Sequence, residues 1–213
     1  MRPTITGGID LVKYQMLNVD KLLIYTSSND DLTLFPNIIN FINSFKDKIT
    51  CKEVIEGKHS LYCLHRARES AIFDKPEKII GVITGDKIIV AIDDKQLYPT
   101  DGLYLFSSDK IENKFIVGLL NSKLLTYFYR LFSLEEGRTL AQIKPTILED
   151  LPIVYTDKKI VKNIIVKVDE IIAIKEQNPK ADTTALEKEI DEMIYKFYGL
   201  TEKEIRVVEG RAN

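Results

Sequence analysis

Apolar positions follow two different periods along the chain, and the change of period divides it into two halves. In the first half, short apolar runs rich in β-branched residues predict strands at 21–26, 78–84, 87–93 and 102–108. Gly85 and Asp86 form a turn pair between two of these runs, which predicts a β-hairpin. Residues 35–49 instead carry apolar side chains at helical spacing, with Pro36 in the first turn. The first half is therefore predicted to be strand-rich with one helix.

The second half has helical periodicity throughout, apart from one interruption. It predicts helices at 113–132, 157–177, 182–200 and 201–209. Residues 137–153 are predicted to form a loop, because Gly137, Pro145 and Pro152 prevent one continuous helix.

Sequence signals also place the ends of the last helices. Thr184 with Glu187, and Thr201 with Glu204, have the spacing of capping boxes, and Gly199 is a stop signal. The last helices are expected to form an antiparallel pair followed by a short third helix. The predicted fold class is α+β: a strand-rich lobe at 1–155, then a helical lobe at 156–213 packed on the 113–132 helix.

Composition restricts the class of protein. Hydrophobic residues make up 45% of the 213 residues, enough for a substantial core. No apolar run approaches the roughly 18 residues of a membrane span, and the N-terminus has no apolar signal core. Cys51 and Cys63 are the only cysteines, which favours a reducing compartment and a cytoplasmic location. His59 and His65 do not have the spacing of a zinc finger, so no metal is expected.

Charge becomes informative only locally. The chain has 30 Lys and Arg against 32 Asp and Glu, a net charge of −2, which argues against a protein that coats polyanions. Residues 58–68 nevertheless contain no acid. They carry Lys58, His59, Tyr62, His65, Arg66 and Arg68. Arginine and lysine neutralise phosphates, and arginine can also take O6 and N7 of guanine, so this segment is a candidate for nucleic-acid binding.

Two further segments share this chemistry. One is an acid-free polar stretch with Arg138, Thr139, Gln142 and Lys144, in which glutamine suits the N6 and N7 edge of adenine. The other lies around Gly7 and Gly8 and carries Arg2, Thr4, Thr6 and Lys13. A structural alternative stays open: Arg66 and Arg68 could pair with Glu69 or Asp74.

No catalytic motif is present. The chain has no Gly-rich phosphate loop, no G-x-G-x-x-G and no G-x-S-x-G. The acid pairs Asp93-Asp94 and Glu135-Glu136 are expected to be solvated surface. These absences favour a binding role for this chain, with no catalytic or cofactor-binding residues of its own.

Several segments, in this order, carry a resemblance to a known family. They are RPTITGGIDLVKY, FPNIINFINSFKDKI, YCLHRARESAIFDKPEKII, YPTDGLYLF, IVGLLNSKLLTYFYR, GRTLAQIKPTILEDLPI and the closing helices. Together they resemble the TaqI-like C-terminal specificity domain, the target-recognition domain of adenine-specific restriction–modification DNA methyltransferases. Two positions depart from the family pattern: Tyr62 stands where a tryptophan can occur, and Lys13 replaces the usual arginine.

The resemblance implies sequence-specific recognition of duplex DNA. It also implies a catalytic methyltransferase domain in the same or an adjacent polypeptide, with or without a fused endonuclease. That domain would bind S-adenosylmethionine and carry an N-P-P-Tyr/Phe motif, neither of which is expected here. The alternative function is a protein-interaction or structural helical module without DNA contact. If the chain does bind DNA, the 58–68 segment and the 137–144 loop should approach one another across one concave face. Arg68, beside Glu69, is expected to be the structural member of the arginine pair.

Overall fold

The computed structural model describes residues 1–133, 137–138 and 141–211. The strands in these ranges are β1 Arg2–Pro3, β2 Leu11–Val12, β3 Gln15–Met16, β4 Leu22–Leu23, β5 Lys78–Val82, β6 Val90–Asp93 and β7 Leu103–Phe106. The α-helices are α1 Pro36–Asn43, α2 Lys46–Ile49, α3 Lys52–Ile55, α4 Asn113–Leu120, α5 Lys123–Ser133, α6 Pro145–Glu149, α7 Lys158–Gln177, α8 Thr184–Phe197 and α9 Glu202–Val208. Short 3-10 helices lie at Leu32–Leu34 and Ser70–Ile72. The predicted α+β class is confirmed.

An antiparallel sheet in the order β6-β5-β7 lies at the centre. The predicted hairpin and the third strand are both confirmed, with Lys78 opposite Asp93 and Ile79 opposite Phe106. The hairpin connection is longer than two residues, because Val82 donates its backbone N–H to Ile89. Every residue of β5 is buried, as expected for a central strand.

Beyond Val82 the chain continues β5 towards a different partner. The N–H of Ile83 donates to Gly102, and the carbonyl of Ile83 accepts from Ile143 at 2.6 Å. Thr84 and Gln142 form an isolated antiparallel bridge. Part of the predicted 137–153 loop is therefore hydrogen-bonded to the extended end of β5, and the short helix α6 begins at Pro145.

The N-terminal segment forms backbone hydrogen bonds with the chain near residue 100. β1 pairs with β4, so the predicted 21–26 strand is reduced to two residues. The N–H of Tyr98 donates to Pro3, and that of Thr100 donates to Ile5. These bonds bring the start of the chain beside residues 98–100.

Asp10 organises this N-terminal segment from the inside. Its side chain is fully buried and accepts hydrogen bonds from Lys21 at 2.6 Å, Asn18 at 2.8 Å and the backbone of Thr6 at 2.7 Å. Burial alone raises its pKa, but these hydrogen bonds outweigh it and lower the pKa to about 2. Asp10 therefore stays ionised and holds three parts of the segment together.

The helical half shares one hydrophobic core with the sheet. Core residues come from β5, α4, α7 and α8, including Ile79, Phe115, Ile164 and Ile190. α4 and α7 cross closely at Gly118, where a Cβ atom would lie 2.8 Å from Ile164 Cγ2. The division of the chain at 155–156 stays a prediction. None of the helices within the described ranges is both long and apolar enough to cross a membrane.

The ends of the last helices agree with the sequence in two of three places. The capping box of Thr201 and Glu204 is confirmed. Gly199 has φ 69° and ends α8 as predicted. The box predicted at Thr184 is wrong: Thr183 is the N-cap residue, and its hydroxyl donates to the Glu187 side chain at 2.9 Å.

The predicted helix at 113–132 is broken at Asn121 and Ser122. The Asn121 side chain bonds both backbone groups of Val90, at 3.1 and 2.9 Å. The hydroxyl of Ser122 accepts from the N–H of Leu125, and Asp191 accepts from the N–H of Lys123. These bonds replace helical ones, so α4 and α5 meet at a break that is fixed by β6 and α8.

The apolar face predicted at 35–49 exists, but it is not buried. Phe41 is 56% exposed and Phe45 41% exposed, and neither α1 nor α2 contains a buried residue. The two rings contact each other at 5.1 Å. Ile38, Ile39 and Ile42 are half-buried, so the face is covered only in part. The predicted helix is present but divided into α1 and α2.

One ion pair lies wholly inside the protein. Lys78 Nζ and Asp93 Oδ2 are 2.5 Å apart, and both side chains are fully buried. Lys78 also donates to the Phe73 carbonyl, while Asp93 accepts from the backbone of Lys95 and Leu97. The expectation that Asp93 is solvated surface is wrong, because its charge is compensated inside the sheet.

Candidate nucleic-acid interface

A groove of about 1180 Å³ gathers segments that are distant in sequence. We call it the recognition groove. It is lined by residues 64–69, by residues 98–103, and by Thr6, Leu23, Tyr25, Ile72, Phe73, Ile83 and Leu105. The basic segment singled out in the sequence therefore contributes directly to a concave surface.

The backbone of the basic segment is pinned to residues 25 and 26. The N–H of Leu64 donates to the Thr26 carbonyl at 2.9 Å, and the Thr26 hydroxyl donates to the Tyr62 carbonyl at 2.6 Å. The hydroxyl of Tyr25 donates to the carbonyl of Arg68. Main-chain groups on both sides of His65 and Arg66 are thus fixed, while these two side chains are exposed.

Arg66 and Arg68 are available for a partner. Both are exposed, and neither forms an ion pair with another residue of the described ranges. The expected pairing of Arg68 with Glu69 is wrong. Both arginines line the recognition groove. Two guanidinium groups on a held backbone can neutralise phosphates or bind base acceptors.

The other candidates in this segment are engaged within the protein. Lys58 pairs with Glu56 at 2.6 Å, and the Tyr62 hydroxyl donates to Asn43 at 2.8 Å. His59 Nε2 is 2.8 Å from the Cys63 carbonyl oxygen, and its ring meets that of His65 edge to face at 5.1 Å. Lys58, His59 and Tyr62 lie outside the groove lining, so their contacts support the segment.

The second predicted segment is bonded to the edge of the recognition groove. Ile143 donates its N–H to Ile83, which lines the groove. Residues 141 and 143 are buried, while the Gln142 side chain between them is exposed. The hydroxyl of Tyr129 donates to the Gln142 carbonyl and accepts from the N–H of Lys144, which fixes this backbone. Arg138 and Lys144 are exposed, and Thr139 lies outside the described residues.

The N-terminal candidates have separate positions. Arg2 lies 3.7 Å from Asp74 and stacks over the Tyr98 ring at 5.1 Å, while Thr4 donates to the Tyr98 carbonyl. Thr6 lines the recognition groove. Lys13 donates to the Asn121 carbonyl at 2.7 Å and lies 3.6 Å from Glu187. Lys13 lies between the antiparallel strands β2 and β3, which form the N-terminal hairpin, and it joins this hairpin to the helices. It lies outside the groove lining.

Sequence analysis placed residues 98–103 only in the YPTDGLYLF segment and at the start of the predicted 102–108 strand, yet all six line the groove. Their backbone is held tightly from one side. A Cβ atom at Gly7 would lie 2.6 Å from the Asp101 carbonyl oxygen and 2.9 Å from Gly102 C. Only a glycine at position 7 permits this approach. The Gly7-Gly8 pair was the available signal, but its distant partner could not be deduced from sequence.

Aromatic rings support the groove lining from beneath the turn. Tyr98 contacts Tyr25 at 4.9 Å and Phe73 at 4.7 Å between ring centroids. Desolvation, together with a 2.6 Å hydrogen bond from Tyr98 to the Asp74 carboxylate, raises the pKa of Tyr98 to about 12. The same bond lowers the pKa of Asp74. Tyr98 is therefore neutral at physiological pH, and its hydroxyl is committed to Asp74.

The described ranges contain no group of three or more His, Cys, Asp or Glu residues that could hold a metal ion. The lining residues of the recognition groove supply charged groups, hydrogen-bonding groups and aromatic surface.

Comparisons with known proteins point to one family. The model of the TaqI-like C-terminal specificity domain matches residues 5–153. Among solved structures, the type IIL restriction-modification enzyme MmeI in complex with DNA has a similar fold, with a TM-score of 0.68 at 13% identity. That match covers 99% of this chain and 29% of the MmeI chain, so this chain spans less than a third of that enzyme's length. A comparison with curated proteins found no match.

Proposed function

Because the chain belongs to the family of TaqI-like C-terminal specificity domains, we propose that it recognises a specific sequence in duplex DNA for a restriction–modification DNA methyltransferase. The observation that carries the proposal is the recognition groove, in which Arg66 and Arg68 are exposed on a pinned backbone. The DNA present in the MmeI structure agrees with this partner.

The geometry of the groove suits recognition of a base sequence better than non-specific binding to DNA. Phosphate contacts fix the register of a protein on a duplex, and contacts to base edges supply the sequence information. The held backbone at 64–68 positions Arg66 and Arg68 in the groove, and we assign the exposed Gln142, whose neighbour Ile143 is bonded to Ile83, as a further base contact. Flexible surface lysines would give affinity without such positioning.

Methyl transfer is assigned to another domain in the same or an adjacent polypeptide. This chain lacks the Gly-rich loop and the N-P-P-Tyr/Phe motif that S-adenosylmethionine binding and adenine methylation would need. The proposed domain would close the other side of a DNA cleft and could be linked to an endonuclease. The free thiols of Cys51 and Cys63 fit a cytoplasmic location for the complex.

Salt dependence tests the proposal. Binding of a fluorescent duplex pool with randomised sequence, followed by anisotropy, should weaken on the order of a hundredfold between 50 and 200 mM salt if about four phosphates are contacted. A protein-interaction module without DNA contact would show no salt-sensitive binding. That outcome, found also with the full-length polypeptide, would overturn the proposed function.

A charge-reversal pair locates the interface. Arg66→Glu should weaken binding at least threefold. For scale, a single phosphate contact changes the affinity by about threefold between 50 and 200 mM salt. Lys188→Glu is the matched control. Lys188 is 67% exposed on α8 and, among the residues that the structure describes, pairs only with Glu192, so this change should leave DNA affinity unaltered. Equal losses in the two variants would place the interface elsewhere.

A further inference from the structure

We infer that the recognition groove takes a G·C base pair and that Asp101 accepts a hydrogen bond from the N4 amino group of its cytosine. The inference rests on the proposed function and specifies the part of the target that this groove binds. It starts from a carboxylate that has no structural task.

Asp101 lines the same groove as Arg66 and Arg68. Its side chain is exposed, and its carboxylate forms no hydrogen bond or ion pair with the described part of the chain. Of the other acids nearby, Asp74 accepts from Tyr98 and Asp10 is buried in its own network, whereas Glu69 is exposed in the same groove. The groove therefore presents cations and anions that do not neutralise one another.

The backbone holds Asp101 in a fixed position. Its neighbour Thr100 donates its N–H to Ile5 at 3.0 Å, and its neighbour Gly102 accepts from Ile83 at 2.8 Å. Gly7 packs against the Asp101 carbonyl group itself. Glu69 also lines the groove on a backbone that is bonded at Arg68 and Ser70, but its side chain has one more rotatable bond than that of Asp101. Asp101 therefore combines the shorter side chain with a backbone that is held at both neighbours and at its own carbonyl, as base readout requires.

A groove that contacted only the DNA backbone would be weakened by this carboxylate, because phosphates carry the same charge. A base edge is different, since it presents donors as well as acceptors. Guanine shows the acceptors O6 and N7, which suit arginine, and its partner cytosine shows the N4 donor, which suits a carboxylate. An A·T pair places its donor and acceptor together on adenine, an arrangement suited to an amide side chain. Arginine and aspartate in one groove thus match G·C.

Selection from a randomised duplex library tests the inference with the whole chain. The wild-type protein should enrich a motif that contains a G·C pair. In Asp101→Asn, the preference for cytosine at one position should fall about tenfold while the other positions keep theirs. Asp20→Asn is the control, because Asp20 is also exposed and lies outside the groove. Both variants should unfold at the wild-type denaturant concentration, since both replace exposed side chains.

The possible outcomes separate the two proposals. An enriched motif that is identical in folded Asp101→Asn and wild type, or one without any G·C pair, overturns the inference and leaves the proposed function standing. The inference would also be overturned if the wild-type protein selected adenine at the Asp101-dependent position, because the carboxylate would then bind the N6 amino group of adenine. No enrichment by the wild-type protein, alone or within its full-length polypeptide, would overturn both.

Discussion

The buried Lys78–Asp93 pair should be among the most sensitive positions of the molecule. Asp93→Asn removes the negative charge and leaves the Lys78 ammonium buried in the sheet with neutral partners, of which the Phe73 carbonyl is one. An uncompensated buried charge of this kind costs about 3–5 kcal/mol of the free energy of unfolding. A domain of ordinary stability has only about 5–15 kcal/mol in total. The single substitution should therefore remove a large share of the stability.

Removing both charges should do less damage than removing one. In Lys78→Met/Asp93→Asn no ion remains buried, and the asparagine oxygen can still accept from one of the two backbone groups of Lys95 and Leu97. The main remaining loss is one backbone hydrogen bond, about 1–3 kcal/mol. The double variant should therefore be more stable than Asp93→Asn, although it carries one more change.

Urea unfolding followed by circular dichroism measures both effects. With a slope of about 2 kcal/mol/M, Asp93→Asn should lower the midpoint by roughly 1.5–2.5 M. A loss of less than about 1 kcal/mol in Asp93→Asn would show that the Lys78 charge is not left uncompensated. If the double variant lost the sum of the two single losses, the two residues would act independently and the ion pair would not couple them. Since Leu97 leads directly into the groove residues 98–103, DNA binding should decline with the same substitution.

Three further substitutions have defined outcomes. Gly7→Ala forces a Cβ atom into the backbone of Asp101, so it should cost about 1–3 kcal/mol in urea unfolding and weaken DNA binding; a neutral result would show that the close approach is relaxed easily. Asp10 has a folded-state pKa of about 2, below its ordinary value, so it stabilises the protein above about pH 4 and this contribution is lost as the pH falls towards 2. Asp10→Asn should therefore be less stable than the wild type at pH 7. The difference in unfolding free energy between the two should become smaller as the pH is lowered from about 4 to 2. Thr201→Ala removes one half of the α9 capping box and should lower the free energy of unfolding by about 1 kcal/mol, measured by thermal unfolding. An unchanged melting temperature would mean that the capping box does not contribute to stability.

The elements that sequence predicted best are those whose pattern is local. The 78–93 hairpin and the helix at 158–177 are defined by periodicity and turn residues within themselves. The break at Asn121 could not be predicted in this way, because its hydrogen-bond partner Val90 is 31 residues away. The apolar pattern at 35–49 identifies an apolar side of a helix, but nothing in the pattern indicates whether another element covers it.

The candidate site divides along the same line. Arg66 and Arg68 were visible because an acid-free basic segment is conspicuous in a chain of near-zero net charge. Asp101 was not, since an aspartate before a glycine is common in any turn. Asp101 becomes a candidate because it lies in the same groove as Arg66 and Arg68, and its position depends on the pairing of residues 3–5 with 98–100. Lys13 carried the right charge for DNA, but the structure places it against Asn121 and Glu187.

The hydrogen bonds of the N-terminal hairpin to the helices can form only after those helices have been synthesised. Gln15 donates to the carbonyl of Lys175, and Lys13 lies beside Glu187, so these residues are bonded to residues that are synthesised at least 160 positions later. At about 5–20 residues per second, the 160 positions between Gln15 and Lys175 correspond to a delay of roughly 8–30 s. During that interval the nascent hairpin has neither its helical partners nor the turn at residue 100 fully in place. The newborn chain therefore spends seconds with strand edges that a chaperone, or a neighbouring nascent chain, can occupy.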